Sequence, residues 1–274
     1  MGTLDFISNI IPQWRFTFSA KEAPTCPVSH SSDISQCPVG HFEFKNSTAT
    51  DPPTVETLNP DGKALPEVPG IDQNVDPSII DTPDLSGRLS GNLLVASPYT
   101  DKEHLLDLTT LARPHQLLAK ALTIMNAKTG EYAVEPYHEA FNWDEILIAL
   151  QKLSKQEDYV FPRSEFYIIV FRSRLPFDAD RQHLGKLDED AHIEAVESGQ
   201  LLKYWFGKPH PVTGRNLATC IWRHRDDAKL GGGGPGHVRA MEAVRNIYLE
   251  WRVERLKLVV EENASEWSIG KWVD

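Results

Sequence analysis

The stretch TCPVSHSSDISQCPVGH, residues 25–41, repeats a Cys-Pro-Val-x-His unit and so gathers Cys26, His30, Cys37 and His41. Two thiols and two imidazoles are the donor set of a structural zinc centre. Such centres take their ligands from a hairpin and a helix, and neither pattern surrounds these residues. A Cys-Pro dipeptide is also the core of haem-regulatory motifs, where the thiolate is an axial ligand. A reducing compartment disfavours a Cys26–Cys37 disulfide. The expectation is that the repeat does nothing chemical, with no metal and no cofactor assigned.

A second set of reactive side chains lies in the last hundred residues. His192 follows Asp188 by one helical turn, the spacing at which a carboxylate orients an imidazole or forms a surface ion pair. His237 heads a helix after the run KLGGGGPG, where a helix N-terminus and an imidazole could together receive a carboxylate or an oxyanion. The run lacks the Gly-Lys-Ser/Thr of a nucleotide loop and reads as a flexible connection. In LLKYWFG, alternation sends Lys203 and Trp205 one way and Tyr204 the other. In NLATCIWRH, Asn216, Cys220, Trp222 and His224 share a face, with Thr219 and Arg223 opposite. Aromatic walls with a few polar groups are what lines a small-molecule pocket, although strand aromatics are core residues by default. Cys220 has no base beside it and reads as packing. The polar candidates are therefore His192, His237, Lys203 and Tyr204, with Trp205, Trp222, Tyr248 and Asn216 as pocket residues. No G-x-S-x-G or H-E-x-x-H signature is present.

These residues need elements to hold them. Residues 1–88 are rich in proline and almost without period, which predicts an irregular arm. Its aromatic stretch QWRFTF, with Trp14, Phe16 and Phe18, is the one anchor candidate. Residues 89–158 predict short helices: one opened by a Thr100/Glu103 capping box, one by Pro114, one by Asn142 with Glu145. From residue 159 to 262 the order is strand, helix, strand, strand, helix, strand. EFYIIVFRS is a buried strand. Leu184, Leu187, Ala191, Ala195 and Val196 mark the apolar face of a helix that Gly199 ends. Met241, Val244, Tyr248 and Trp251 stripe a second helix, with Arg252, Glu254 and Arg255 near its end facing Asp226 and Asp227. RLKLVV closes the series, and residues 263–274 read as a tail. The fold class is α+β, a ferredoxin-like β-α-β-β-α-β unit. Its strands are apolar on both sides, so the second sheet face needs a cover. Either the preceding helices provide it, or a second copy does, making a dimeric α/β barrel.

A net charge of −11 argues against a nucleic-acid partner. No apolar run approaches the roughly 20 residues of a membrane span. The N-terminus lacks a basic start, Phe6 stands where a myristoylation signal wants Ser or Thr, and three cysteines make no disulfide framework. A cytoplasmic protein is expected.

FNWDEIL, FYIIVFRS, AHIEAVESGQLLKYWFG, GRNLATCIWRHRDDA, GPGHVRAM and YLEWRVERLKLV together resemble an uncharacterised fungal protein family, over about residues 90–262. The resemblance implies the dimeric α/β-barrel fold, whose wider group includes small monooxygenases, haem-degrading enzymes and cyclases. It also invites comparison with biosynthetic-cluster pericyclases such as the Diels–Alderase of the sordarin pathway. It brings no catalytic residues with it. The function expected is a cofactor-independent enzyme of fungal secondary metabolism that cyclises or isomerises a hydrophobic small molecule. A non-catalytic small-molecule or haem-binding protein, or a cofactor-independent monooxygenase, remains the alternative. A homodimer through the sheet face is the expected assembly.

Overall fold

The computed structural model describes residue 76 and residues 78–273. The Cys-Pro-Val-x-His repeat and QWRFTF lie outside the described residues.

The sequence from residue 89 opens with three two-residue strands, β1 (Leu89–Ser90), β2 (Leu93–Leu94) and β3 (Leu106–Asp107), paired antiparallel. A continuous helix from the Thr100/Glu103 box does not form. Residues Lys102–His104 and Leu108–Thr110 are separate 3-10 turns on either side of β3. Leu106 is committed to pairing with Leu94, and the Asp107 carboxylate accepts from the Thr109 N–H and hydroxyl. That local alternative to the helical ladder stops the helix.

Helix α1 (Arg113–Ala121) carries a proline in its first turn, where no intrahelical N–H is needed. After the single-turn α2 (Tyr137–Ala140), α3 (Trp143–Gln156) buries Ile146, Leu147, Leu150 and Leu153. Asn142 precedes α3 but does not cap it. Its Oδ1 accepts from the Asn126 N–H and its Nδ2 donates to Glu145.

The C-terminal half runs β4 (Ser164–Arg174), α4 (Arg181–Gly199), β5 (Leu201–Phe206), β6 (Arg215–Trp222), α5 (Arg225–Gly231), α6 (Pro235–Ile247), β7 (Glu250–Val260) and β8 (Trp267–Lys271). The strands form one antiparallel sheet in the order β5-β6-β4-β7-β8. Without α5 and β8 the chain order is the β-α-β-β-α-β series expected from the periodicity.

Four expectations change. The connection before Pro235 contains a helix, α5, whose N-cap His224 accepts from the Asp226 N–H. Gly231 is needed there for closeness: a Cβ would meet the Trp222 ring at 2.7 Å. The second long helix stops at Ile247, because β7 pairs with β4 along eleven residues. Trp251, Arg252, Glu254 and Arg255 are thus strand residues. Glu254 pairs with Arg172 at 2.8 Å, while Asp227 is held by Arg223 and Asp226 by Lys229. The expected tail supplies the fifth strand, anchored by Trp267, which is 4% exposed and donates to Asp144. Finally, Gln200, in the left-handed conformation at φ 54°, caps α4 after Gly199.

Alternate residues of β4 and β6 point to two different cores. Ile168, Val170, Leu217 and Ile221 join Leu117, Leu118, Ile146 and Leu150 of α1 and α3 in the large one. Tyr167, Leu201, Tyr204 and Trp222 join Ala195 of α4 and Ala228 of α5 in the small one. The sheet face that a second copy would cover in a dimeric barrel is therefore filled by the chain's own helices. Among the described residues no helix is long and apolar enough to cross a membrane.

Candidate functional site

The sheet's two faces differ in how well they are covered. Against α1 and α3, Ile168, Val170, Leu217, Thr219 and Ile221 are all 0% exposed. On the other face of the same strands, Ile169, Phe171, Ala218 and Cys220 are only half-buried, as are Trp251 and Val253 of β7. Register sets these side by side: Ala218 opposite Phe171 and Phe171 opposite Val253, with Cys220 opposite Ile169 in a parallel row. Trp251 stacks on Phe171 with ring centroids 5.4 Å apart, and Tyr248 meets Trp251 edge-on at 5.1 Å. An apolar face that its helices leave accessible, floored by stacked aromatics, is where an apolar ligand is held.

Asp188 of α4 is turned toward this face. Its Oδ1 accepts from the Tyr204 hydroxyl of β5 at 2.6 Å, and its Oδ2 accepts from the Tyr99 hydroxyl. Burial raises its carboxyl above the ordinary range, against the pull of the Tyr204 and Tyr99 hydroxyls. The carboxylate's field reaches Cys220 and Tyr248. Burial, then Asp188, pushes the Cys220 thiol up and Tyr248 up to about 12. Both stay protonated at neutral pH.

His192, one turn further along α4, does not bond to Asp188. Its Nδ1 lies 2.9 Å from the Nδ1 of His104, so one ring donates and the other accepts. Both histidines are 5% exposed. Tyr99 stacks on His104 at 4.5 Å and packs against His192 at 5.1 Å. Burial, then the neighbouring His104 and His237, pulls His192 down to about 3, so its ring is neutral across the physiological range.

The other predicted residues fall in several places. His237 opens α6 and bonds through Nδ1 to Glu194, whose carboxylate also accepts the Gly236 and His237 N–H groups. Glu194 of α4 thereby satisfies the N-terminus of α6. This histidine ties two helices together. Trp222 lies in the small core under α5, its Nε1 without a hydrogen-bond partner. Asn216 is on the half-buried face with its Nδ2 on the Gly207 carbonyl at 3.0 Å and its Oδ1 unpartnered. Tyr204 and Tyr248 are at the site. Lys203 and Trp205 are not: a bulge between Leu201 and Lys203 sets their register, and both point to the opposite face. Trp205 packs there against Phe141 and Tyr132.

Sequence reasoning missed Tyr99 and His104. They precede Asp188 by 89 positions and His192 by 88, Tyr99 just before and His104 within a stretch read as a helix, and no local signal marks them. Among the described residues no cluster of three or more His, Cys, Asp or Glu side chains is placed to hold a metal ion. The apolar cavity lined by Leu118, Trp143, Ile146, Leu258 and Trp267 lies inside the large core and touches none of the candidates.

A family model described as PB2B2.08-like matches residues 95–271. The UPF0643 protein PB2B2.08 of Schizosaccharomyces pombe is 38% identical over 190 residues, covering 67% of this chain and 86% of that protein. The chain belongs to the PB2B2.08-like family. Among solved structures, Rv0793 from Mycobacterium tuberculosis has a TM-score of 0.29 at 17% identity, covering 33% of this chain and 92% of its own. SnoaB, a cofactor-independent oxygenase from Streptomyces nogalater, has a TM-score of 0.28 at 8% identity, covering 34% and 90%. A dimeric ferredoxin-like protein from Thermobifida fusca has a TM-score of 0.28 at 10% identity, covering 35% and 92%. These likenesses are confined to about a third of the chain and bear on neither its activity nor its assembly.

Proposed function

We propose that this member of the PB2B2.08-like family is a small-molecule enzyme that isomerises or cyclises an apolar substrate by proton transfer at Asp188. The observation that carries the reading is the pairing of that carboxylate with an accessible apolar face. A carboxyl with raised proton affinity is held by two tyrosine hydroxyls, one of them Tyr204 on the sheet face that Phe171, Trp251 and Val253 share. A carboxylate in such surroundings is a stronger base than one in water, which suits it to proton transfer.

The division of labour follows from the geometry. Phe171 and Trp251 hold the substrate against the sheet by stacking and exclude water from it. Asp188 takes a proton from the bound molecule and returns it at another carbon. Tyr99 and Tyr204 keep both carboxylate oxygens aimed, and their hydroxyls stay protonated because burial, then Asp188, raises them. The His104–His192 pair backs Tyr99 by ring contacts and fixes its ring. Positioning and one proton transfer together account for such a reaction, with no cofactor required.

The test uses an untargeted mass-spectrometric comparison. A fungal small-molecule extract is incubated with the wild-type protein and with Asp188→Asn, which keeps the shape and removes the base. The expected result is a compound consumed by the wild type alone and retained, unconverted, on the variant. Equal consumption by both proteins would sink the proposal. So would the absence of any consumed or retained compound. Retention by both with conversion by neither would establish a carrier instead.

A further inference from the structure

Lys203 is a different kind of residue from those around Asp188. It sits mid-strand on the α1/α3 side of the sheet, 5% exposed. Among the described residues its ammonium has neither a hydrogen bond nor an ion pair. A buried cation without a counter-charge is costly, and proteins with many carboxylates normally supply one. The chain has 39 acidic residues and a net charge of −11, yet among the described residues no carboxylate pairs with Lys203.

The charge that bears on Lys203, that of Arg88, carries the same sign. Two backbone hydrogen bonds connect the segment of Arg88 to the strand of Lys203. The Val95 N–H donates to the Arg88 carbonyl at 2.8 Å, and the Tyr204 N–H donates to the Ala96 carbonyl at 3.0 Å. The segment Val95–Ala96 thus links Arg88, at the start of the β1–β2 hairpin, to the outer edge of β5 beside Lys203. Arg88 is exposed and, among the described residues, forms no ion pair. Burial, then the Arg88 charge, pulls Lys203 down to about 8. Two cations without an ion pair among the described residues, Arg88 exposed and Lys203 5% exposed, together offer an anion two partners.

We propose that Arg88 and Lys203 form a binding site for a small oxyanion, a phosphate or carboxylate group, at the β5 edge on the sheet face opposite Asp188. Arg88 receives the anion at the surface with its planar fork. Lys203 anchors it from below as a point charge. The site is separate from the proton-transfer site, so the two proposals stand or fall independently.

The experiment is calorimetric and thermal-shift titration of the full chain with inorganic phosphate and, separately, acetate, at ionic strength held constant with sodium chloride. Wild type is compared with Lys203→Met and Arg88→Gln. The expected result is saturable binding of at least one anion to the wild type, weakened about tenfold or more in each variant. Phosphate alone would point to a phosphorylated ligand, and acetate alone to a carboxylate. Arg88→Gln changes only an exposed side chain and keeps the test decisive if Lys203→Met folds poorly. No saturable binding by the wild type, or equal binding by wild type and Arg88→Gln, would overturn the site.

Discussion

His192 shows how a buried residue makes an acid-sensitive protein. In the folded chain its ring stays neutral to about pH 3, whereas an ordinary histidine takes its proton near 6.5. Between those values the unfolded chain binds the extra proton, so stability falls as pH drops from about 6.5 toward 3. The loss is on the order of 1 kcal/mol per pH unit over that window. Chemical denaturation at pH 7 and pH 5 should show it, and His192→Gln should flatten the dependence. An unchanged slope in the variant would mean that His192 is protonated as easily folded as unfolded. Asp188 acts with the opposite sign. Its raised carboxyl makes the folded state the better proton binder above the ordinary carboxylate range, so Asp188→Asn should gain most on wild type at neutral pH and least in acid.

At the scale of elements, the run of four glycines before Pro235 is a packing device more than a hinge. A Cβ on Gly231 would sit 2.7 Å from the Trp222 ring and 3.2 Å from the Ala195 Cα. Neither the sheet nor the backbone of α4 can retreat without opening the small core. Gly231→Ala is expected to cost about 1–3 kcal/mol, the range for overpacking. Gly233 has only the Lys229 and Leu230 carbonyls near, at 3.3 and 3.8 Å, so Gly233→Ala should cost less. Thermal melts of the two variants would separate packing from chain flexibility. Equal effects would show that the run serves flexibility after all. The same junction holds Glu194 against the first N–H groups of α6, which keeps α4 and α6 in fixed relation above the half-buried face.

For the whole molecule, the decisive feature is that α1 and α3 share one core with the sheet. A chain begun at residue 159 would keep every strand of the large sheet but expose Ile168, Val170, Leu217 and Ile221, each now 0% exposed. Such a continuous apolar face drives association. Light scattering should therefore find that fragment aggregated or paired through the sheet. A stable, soluble monomer from residue 159 onward would contradict the shared core. The C-terminal strand belongs to the same core, and Trp267→Ala is expected to cost about 3–5 kcal/mol.

Much of this architecture is legible in the residues. EFYIIVFRS, LLKYWFG and NLATCIWRH are strands because β-branched and aromatic residues alternate over lengths that only a strand suits. The apolar stripe from Leu184 to Val196 is a helix for the complementary reason. Those local patterns dictate the order of elements and the placing of Tyr204 opposite Lys203 and Trp205. Where local signals compete, the sequence alone decides wrongly. Tyr248 and Trp251 fit a helical stripe, yet eleven residues of pairing with β4 outweigh that pattern and make Trp251 a strand residue. The tail has too few apolar residues to read as a strand until β7 offers it an edge. The site is the extreme case. Asp188 and His192 share a helix face in sequence, but their partners are chosen in space: Tyr99 and His104 come from a segment 89 and 88 positions earlier that folds over α4, and Tyr204 comes from β5. Periodicity reports which side of an element is buried, and only tertiary packing decides which groups meet there.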